Sequence, residues 1–167
     1  RINLGAALTQ VGDVNGAVTK AKAYQSANPG AAADVLLADT YVRAKQLNQA
    51  AAVLTQSYGV HPNRTTLARL VQLKIAGGDT KQASALLANW LASNPRDLEV
   101  RSQYATLLMM TRDTARAAAQ FELILQQDSK NVVALNNLAW LLQRSDPKRA
   151  LSLAVLADKL SPNSPDV

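Results

Sequence analysis

Along most of the chain, apolar residues recur at the three- and four-residue spacing of a helical face, broken at short intervals by polar turns. The clearest stretch, from Val132 to Pro162, reads VVALNNLAWLLQRSDPKRALSLAVLADKLSP. It holds an apolar-periodic run, a polar break at Ser145-Asp146-Pro147, a second run rich in alanine, and a closing proline. This predicts two helices joined by a turn, with Pro162 marking the exit from the second. The same pattern recurs upstream. Its exit marks are Asn28-Pro29, His61-Pro62, Asn94-Pro95, Asp128-Ser129 and Ser161-Pro162, with successive spacings of 33, 33, 34 and 33 residues. A fixed period of this length implies stacked supersecondary units rather than a single globule.

The apolar pattern inside each period agrees. Ala17, Ala50, Ala83, Ala117 and Ala150 each stand 12 residues before an exit mark. Four residues on, along the same helical face, come Ala21, Leu54, Leu87, Phe121 and Ala154. In the preceding runs Leu4-Gly5 leads to Leu8, Leu37-Ala38 to Tyr41, Leu70-Val71 to Lys74, Tyr104-Ala105 to Leu108, and Leu138-Ala139 to Leu142. A large residue, a small one, then another large one three later describes a close-packed helix pair. The reading is ten helices, paired as 1–11 with 14–27, 31–44 with 47–58, 64–76 with 80–93, 97–110 with 113–127, and 131–144 with 147–160. Asp13, Asp79 and Asp113 are expected N-caps, and Pro147 suits a first helical turn.

At Leu135, Leu138, Ala139, Leu142, Ala150, Ala154, Ala157 and Pro162 the chain resembles the tetratricopeptide repeat. That resemblance implies an all-α, right-handed α-solenoid of about five stacked repeats (1–29, 30–62, 63–95, 96–129 and 130–162), with 163–167 opening a sixth. Both ends are expected to be cut from a longer array, the chain opening inside the periodic pattern without Met. Three departures stand out. Lys74 replaces the usual aromatic, Trp90 takes a slot normally given to alanine and is expected in the core, and the last repeat is one residue short at Ser145–Pro147.

The resemblance further implies that the first helix of each pair lines a concave face that holds a peptide or protein partner. Carried over position by position, that face would present Arg43, then Arg69 and Gln72, then Gln103 and Met109, and finally Asn136, Asn137, Trp140 and Arg144. The last group is the richest, because Asn supplies both donor and acceptor groups while Trp and Arg are common anchors of interfaces. The Lys/Asn clamp of chaperone-binding members is missing: Ile2, Ala6, Val35, Asp39, Thr65, Ala68 and Gln72 stand in its places, and Arg69 alone resembles it. A chaperone C-terminus is therefore not the expected partner. The run ALNNLAWLLQ…DPKRALSLAVLADKLSPNSPDV also resembles repeats of bacterial envelope proteins tied to exopolysaccharide production, above all the repeat lipoprotein of PEP-CTERM/exosortase systems. That likeness implies a periplasmic or envelope-associated scaffold, with a cytoplasmic location left open.

Composition narrows the chemistry. Hydrophobic residues make up 48% and aromatics only 4%, so the core must be built from Ala, Leu and Val. There is no cysteine, which removes disulfides, thiol nucleophiles and thiolate metal sites. His61 is the sole histidine, sits in a turn, and has no partner at a catalytic or metal-binding spacing. No P-loop, H-E-x-x-H or G-x-S-x-G occurs, so neither catalysis, cofactor nor metal is expected. No apolar run approaches the ~20 residues of a membrane-spanning helix. The net charge of +6 is scattered along the chain, and nucleic acid is not the expected partner. Two alternatives to a groove binder remain open. One is a spacer that self-associates through exposed end helices, with Leu4 and Leu8 at the start. The other is an electrostatic binder of nucleic acid or acidic polysaccharide, drawing on Arg43, Arg69, Arg101 and Arg144.

Overall fold

The computed structural model describes residues 13–162. Among the described residues the chain forms nine helices and no strand: α1 (Val14–Ala27), α2 (Ala31–Arg43), α3 (Leu47–Val60), α4 (Arg64–Ala76), α5 (Thr80–Ser93), α6 (Leu98–Met110), α7 (Thr114–Gln127), α8 (Val132–Leu142) and α9 (Pro147–Leu160). The helix expected over 1–11, with Leu4 and Leu8, and the tail 163–167 lie outside the described residues.

Short polar side chains close the helix N-termini. Asp13, Asn63, Asp97, Asp113, Asn131 and Asp146 each accept the backbone N–H three residues ahead. Asp79 does the same for Gln82 at 3.1 Å. These bonds satisfy donors that the first turn of a helix leaves bare. At Asp113 the Arg116 guanidinium also donates from Nε to Oδ2 at 2.6 Å. Those hydrogen bonds, from the Arg116 side chain first and its backbone second, hold the Asp113 carboxyl below the usual carboxylate range.

The turns within helix pairs share one backbone solution. Lys45, Gly78 and Arg112 take left-handed φ values of 59°, 79° and 63°. The N–H that follows each reaches back five residues, Gln46 to Tyr41, Asp79 to Lys74 and Asp113 to Leu108, all at 2.8 Å. This is the Schellman ending, which satisfies carbonyls that a helix C-terminus leaves open. The last pair departs from it. Its turn is one residue shorter, so Asp146 N–H reaches back only four residues, to Leu142 at 2.8 Å. Helix α8 accordingly ends at Leu142 rather than 144, and Arg144 lies in the turn.

Turns between pairs are equally uniform. Asn28, His61, Asp128 and Ser161 adopt nearly the same non-helical backbone, with φ of −135°, −133°, −137° and −141° and ψ of 67°, 76°, 86° and 74°. A following proline favours that geometry by crowding the helical alternative. Asp128 keeps it before Ser129, so this turn survives the loss of its proline.

The helices form two compact units, one ending at Ala83 and the other starting at Ser84. In the first, α1 packs on α2, α2 on α3, α3 on α4, and α2 also meets α4. Its core includes Ala17, Leu37, Ala38, Leu54, Leu67 and Leu70, all at least nine-tenths buried. In the second, α6 packs on α7, α7 on α8, and α8 on α9. Phe121 of α7 is fully buried there with Ala105 of α6 and with Ala134 and Leu138 of α8. The small residues admit the ring: Ala105 and Ala134 leave the volume that Phe121 fills.

Candidate partner-binding surface

The candidate positions lie on first helices, on α2 and α4 in the first unit and, separately, on α6 and α8 in the second. Arg43 is exposed in the last turn of α2, where a cation complements the helix C-terminus. Arg69 on α4 is exposed but engaged: its Nη2 lies 3.2 Å from Oδ2 of Asp39 on α2. Gln72, one turn beyond Arg69, is exposed. The pair across α2 and α4 is solvated at both ends and contributes little to stability, about 0–1 kcal/mol. Its functional consequence is larger, because Asp39 neutralises the cation that sequence had offered to a partner.

On α6, Gln103 is half-buried. Met109 is half-buried too, packing on the core cluster around Phe121, while Met110 beside it is 63% exposed. Adjacent helical residues point about 100° apart, so one of the two had to face inward. The structure makes Met110, not Met109, the exposed methionine. Arg101, another of the proposed electrostatic contacts, is buried. It donates to Oε1 of Gln120 and to the Pro95 carbonyl, each at 2.7 Å. Trp90 also departs from expectation. It is half-buried rather than in the core, and its indole N–H donates to Oδ2 of Asp97 at 2.9 Å. An indole buried at that end would strand its N–H, and the N-cap carboxylate of α6 supplies the acceptor.

The α8 residues divide. Asn137 turns back on its own helix, donating to the Val133 carbonyl at 2.8 Å. Arg144 is exposed in the turn after α8, off the helical face it was expected to share. Asn136 and Trp140, four residues apart, do meet, at an open cleft of about 420 Å³ between α8 and α9. Gln143 completes the α8 side, and Leu151 and Ala154 of α9 form the opposite wall. Trp140 is 57% exposed and Leu151 67%. The reading of the sequence assigned the surface to first helices alone and missed Leu151. The signal was present: Leu151 and Val155, one turn apart on α9, are apolar on the face opposite buried Ala157.

Among the described residues no group of three His, Asp or Glu side chains is placed to hold a metal, and no helix is long and apolar enough to cross a membrane.

No family model matches the chain, and no curated protein matches it in sequence. Solved structures do. A crystal structure of YrrB, described as a TPR protein with an unusual peptide-binding site, is 19% identical with a TM-score of 0.67, over 97% of this chain and 85% of that one. A crystal structure of MamA is 15% identical with a TM-score of 0.72, over 96% and 95%. A kinesin light chain protein with nearly identical TPR-like repeats, from Podospora anserina, is 18% identical with a TM-score of 0.66, over 94% and 91%. The fold is that of the tetratricopeptide repeat. The 33- and 34-residue period, the buried alanines at 17, 50, 83, 117 and 150, and the repeated Schellman turns are this chain's own version of it.

Proposed function

We propose that this tetratricopeptide chain is a non-catalytic interaction scaffold that holds a peptide or protein segment, with the α8/α9 cleft as its anchor. The observation that carries the reading is the pairing of Trp140 with Leu151 across an open cleft that Asn136 and Gln143 flank. Covering two large, exposed apolar side chains is favourable at about 25 cal/mol per Å² of apolar surface removed from water. The exposed Gln143 amide offers both a donor and an acceptor to a partner backbone. Helices stacked in a repeat array hold these groups in place before binding, so little conformational entropy is lost. YrrB, with its peptide-binding site in the same fold, supports the class of partner.

The finer reading is a single array of five repeats acting in bacterial envelope or exopolysaccharide assembly. It rests on the resemblance of the last repeat to those of PEP-CTERM systems. Gln103 would add a contact in the second unit, and Arg43 and Gln72 would offer contacts of their own in the first. A second reading, self-association, draws on α9, where Val155, Leu156 and Leu160 are 45%, 40% and 37% exposed. The electrostatic alternative is weakened, because Arg69 is already held by Asp39 and Arg101 is buried.

The test is selection of peptides from a displayed random library on the wild-type chain, followed by titration into Trp140→Ala and Leu151→Ala. Losses of tenfold or more in both variants are expected, about 1.4 kcal/mol each. Unchanged affinity in both would remove the cleft as the anchor. A mass that doubles with concentration in light scattering, and is restored to the monomer value by Leu156→Asp, would favour self-association instead.

A further inference from the structure

A second cleft, of about 500 Å³, lies wholly within the first unit, where the end of α1 and the start of α2 meet α3. It is separate from the proposed anchor, and the inference stands or falls independently of it. Its polar lining includes Asp34 from the first turn of α2, Gln25 from α1, and Gln56 and Ser57 from α3. Val53 and Val60 of α3 supply an apolar strip, and His61 is exposed at the edge.

Two features point to a ligand. Ser57 is 4% exposed, and its hydroxyl, among the described residues, has no hydrogen-bond partner. A buried hydroxyl without a partner is costly, and a ligand that bonds to it recovers that cost. Asp34 is held as an acceptor: Gln25 Nε2 donates to its Oδ1 at 2.6 Å, which leaves Oδ2 to receive another donor. No lysine or arginine lines the cleft. The Asp34 carboxylate therefore sets its sign, and an anion attracted to the N-terminus of α2 would meet that charge directly.

We propose that this cleft binds a primary ammonium group carried on an alkyl stem. An ammonium offers three donors and no acceptor, which matches Asp34 Oδ2, Ser57 Oγ and the amide oxygen of Gln56. The stem lies along Val53 and Val60, as lysine stems do on apolar surfaces. The group is either the lysine side chain of a partner or a free polyamine.

Titration of 15N-labelled protein, followed through the side-chain amide signals of Gln25 and Gln56, tests the site. The probes are N-acetyl-lysine methylamide, 1,5-diaminopentane, and Nε-acetylated N-acetyl-lysine methylamide as the neutral control. Saturable shifts with either amine and none with the acetylated control are expected. Saturation with the blocked lysine assigns a partner's side chain, and saturation with the diamine alone assigns a polyamine. Asp34→Asn, which keeps an oxygen for Gln25, should weaken binding about tenfold, the typical value of a charge-assisted hydrogen bond. Equal shifts with the neutral control, equal binding by Asp34→Asn, or no saturable shift with either amine would each overturn the proposal.

Discussion

Replacing Gly59 and Gly78 by alanine, one at a time, should change stability in opposite directions, although both sites are open. A Cβ built at either position meets nothing within 4 Å, so packing enters neither result. Gly59 lies inside α3 with ordinary helical backbone, and there alanine gains up to about 0.8–1.0 kcal/mol in a helix interior, with less expected one residue from the end. Gly78 holds φ at 79° in the Schellman turn, where a side chain costs about 1–2 kcal/mol. Alanine also stiffens the unfolded chain, which returns about 0.4–1 kcal/mol, so the net loss at Gly78 is of order 0.5–1 kcal/mol. The same reasoning runs backwards at Lys45 and Arg112, whose φ values of 59° and 63° carry the strain already. Arg112→Gly should raise stability by a similar amount. Urea unfolding followed by circular dichroism measures all of these, with the slope expected to stay constant while the midpoint moves. A destabilised Gly59→Ala or a stabilised Gly78→Ala would refute the backbone account, since no contact is left to explain either sign.

Three further outcomes follow from contacts in the second unit. Phe121→Ala should cost about 3–5 kcal/mol in the same unfolding experiment, because the fully buried ring is the largest side chain of its cluster; a loss below 1.5 kcal/mol would mean that the helices collapse onto the gap. Trp90→Phe should cost about 1 kcal/mol by removing the donor to Asp97, and Trp90→Phe combined with Asp97→Asn should cost less than the two single changes added together. The Asp113 carboxyl titrates lower in the folded chain than in the unfolded one, so its contribution is present above the unfolded value and is lost as pH falls through the folded one. Arg116→Ala should therefore flatten the acid side of the stability profile, and an unchanged profile would show that the pair is not formed in solution.

Much of the fold was legible because the period repeats its own evidence. The boundaries expected for 14–27, 64–76, 80–93 and 147–160 coincide with α1, α4, α5 and α9. Aspartates at 13, 79 and 113 act as the caps their positions suggested. The end of α8 was missed, although its cause was in view: one residue fewer between Leu142 and Ala150 leaves no place for the left-handed residue that closes the other described turns. Residue type gave no sign of that left-handed position, since Lys, Gly and Arg fill it in turn. Trp90 was misjudged because a large apolar residue at a core slot says nothing of where its N–H must go. That acceptor, Asp97, lies across a turn, seven residues away.

The surface was less legible for a related reason. Repetition constrains residues that touch the next helix, whereas a residue that faces outward is decided by its neighbours in space. Arg69 reads as a free cation until α4 places it against Asp39 on α2, 30 residues earlier in sequence. Asn137 reads as a recognition amide until it bonds to its own helix at Val133. Each such contact removes a candidate by using donors that a partner would need. Trp140 is not removed, because a side chain more than half exposed beside Leu151 gains nothing from the structure that leaves it there. The buried positions of the same two helices, Leu135, Leu138 and Ala157, lie at 0–1% exposure. Exposed apolar surface of this kind marks interaction sites. That is why the weight of the functional reading rests on the α8/α9 cleft rather than on the scattered charges.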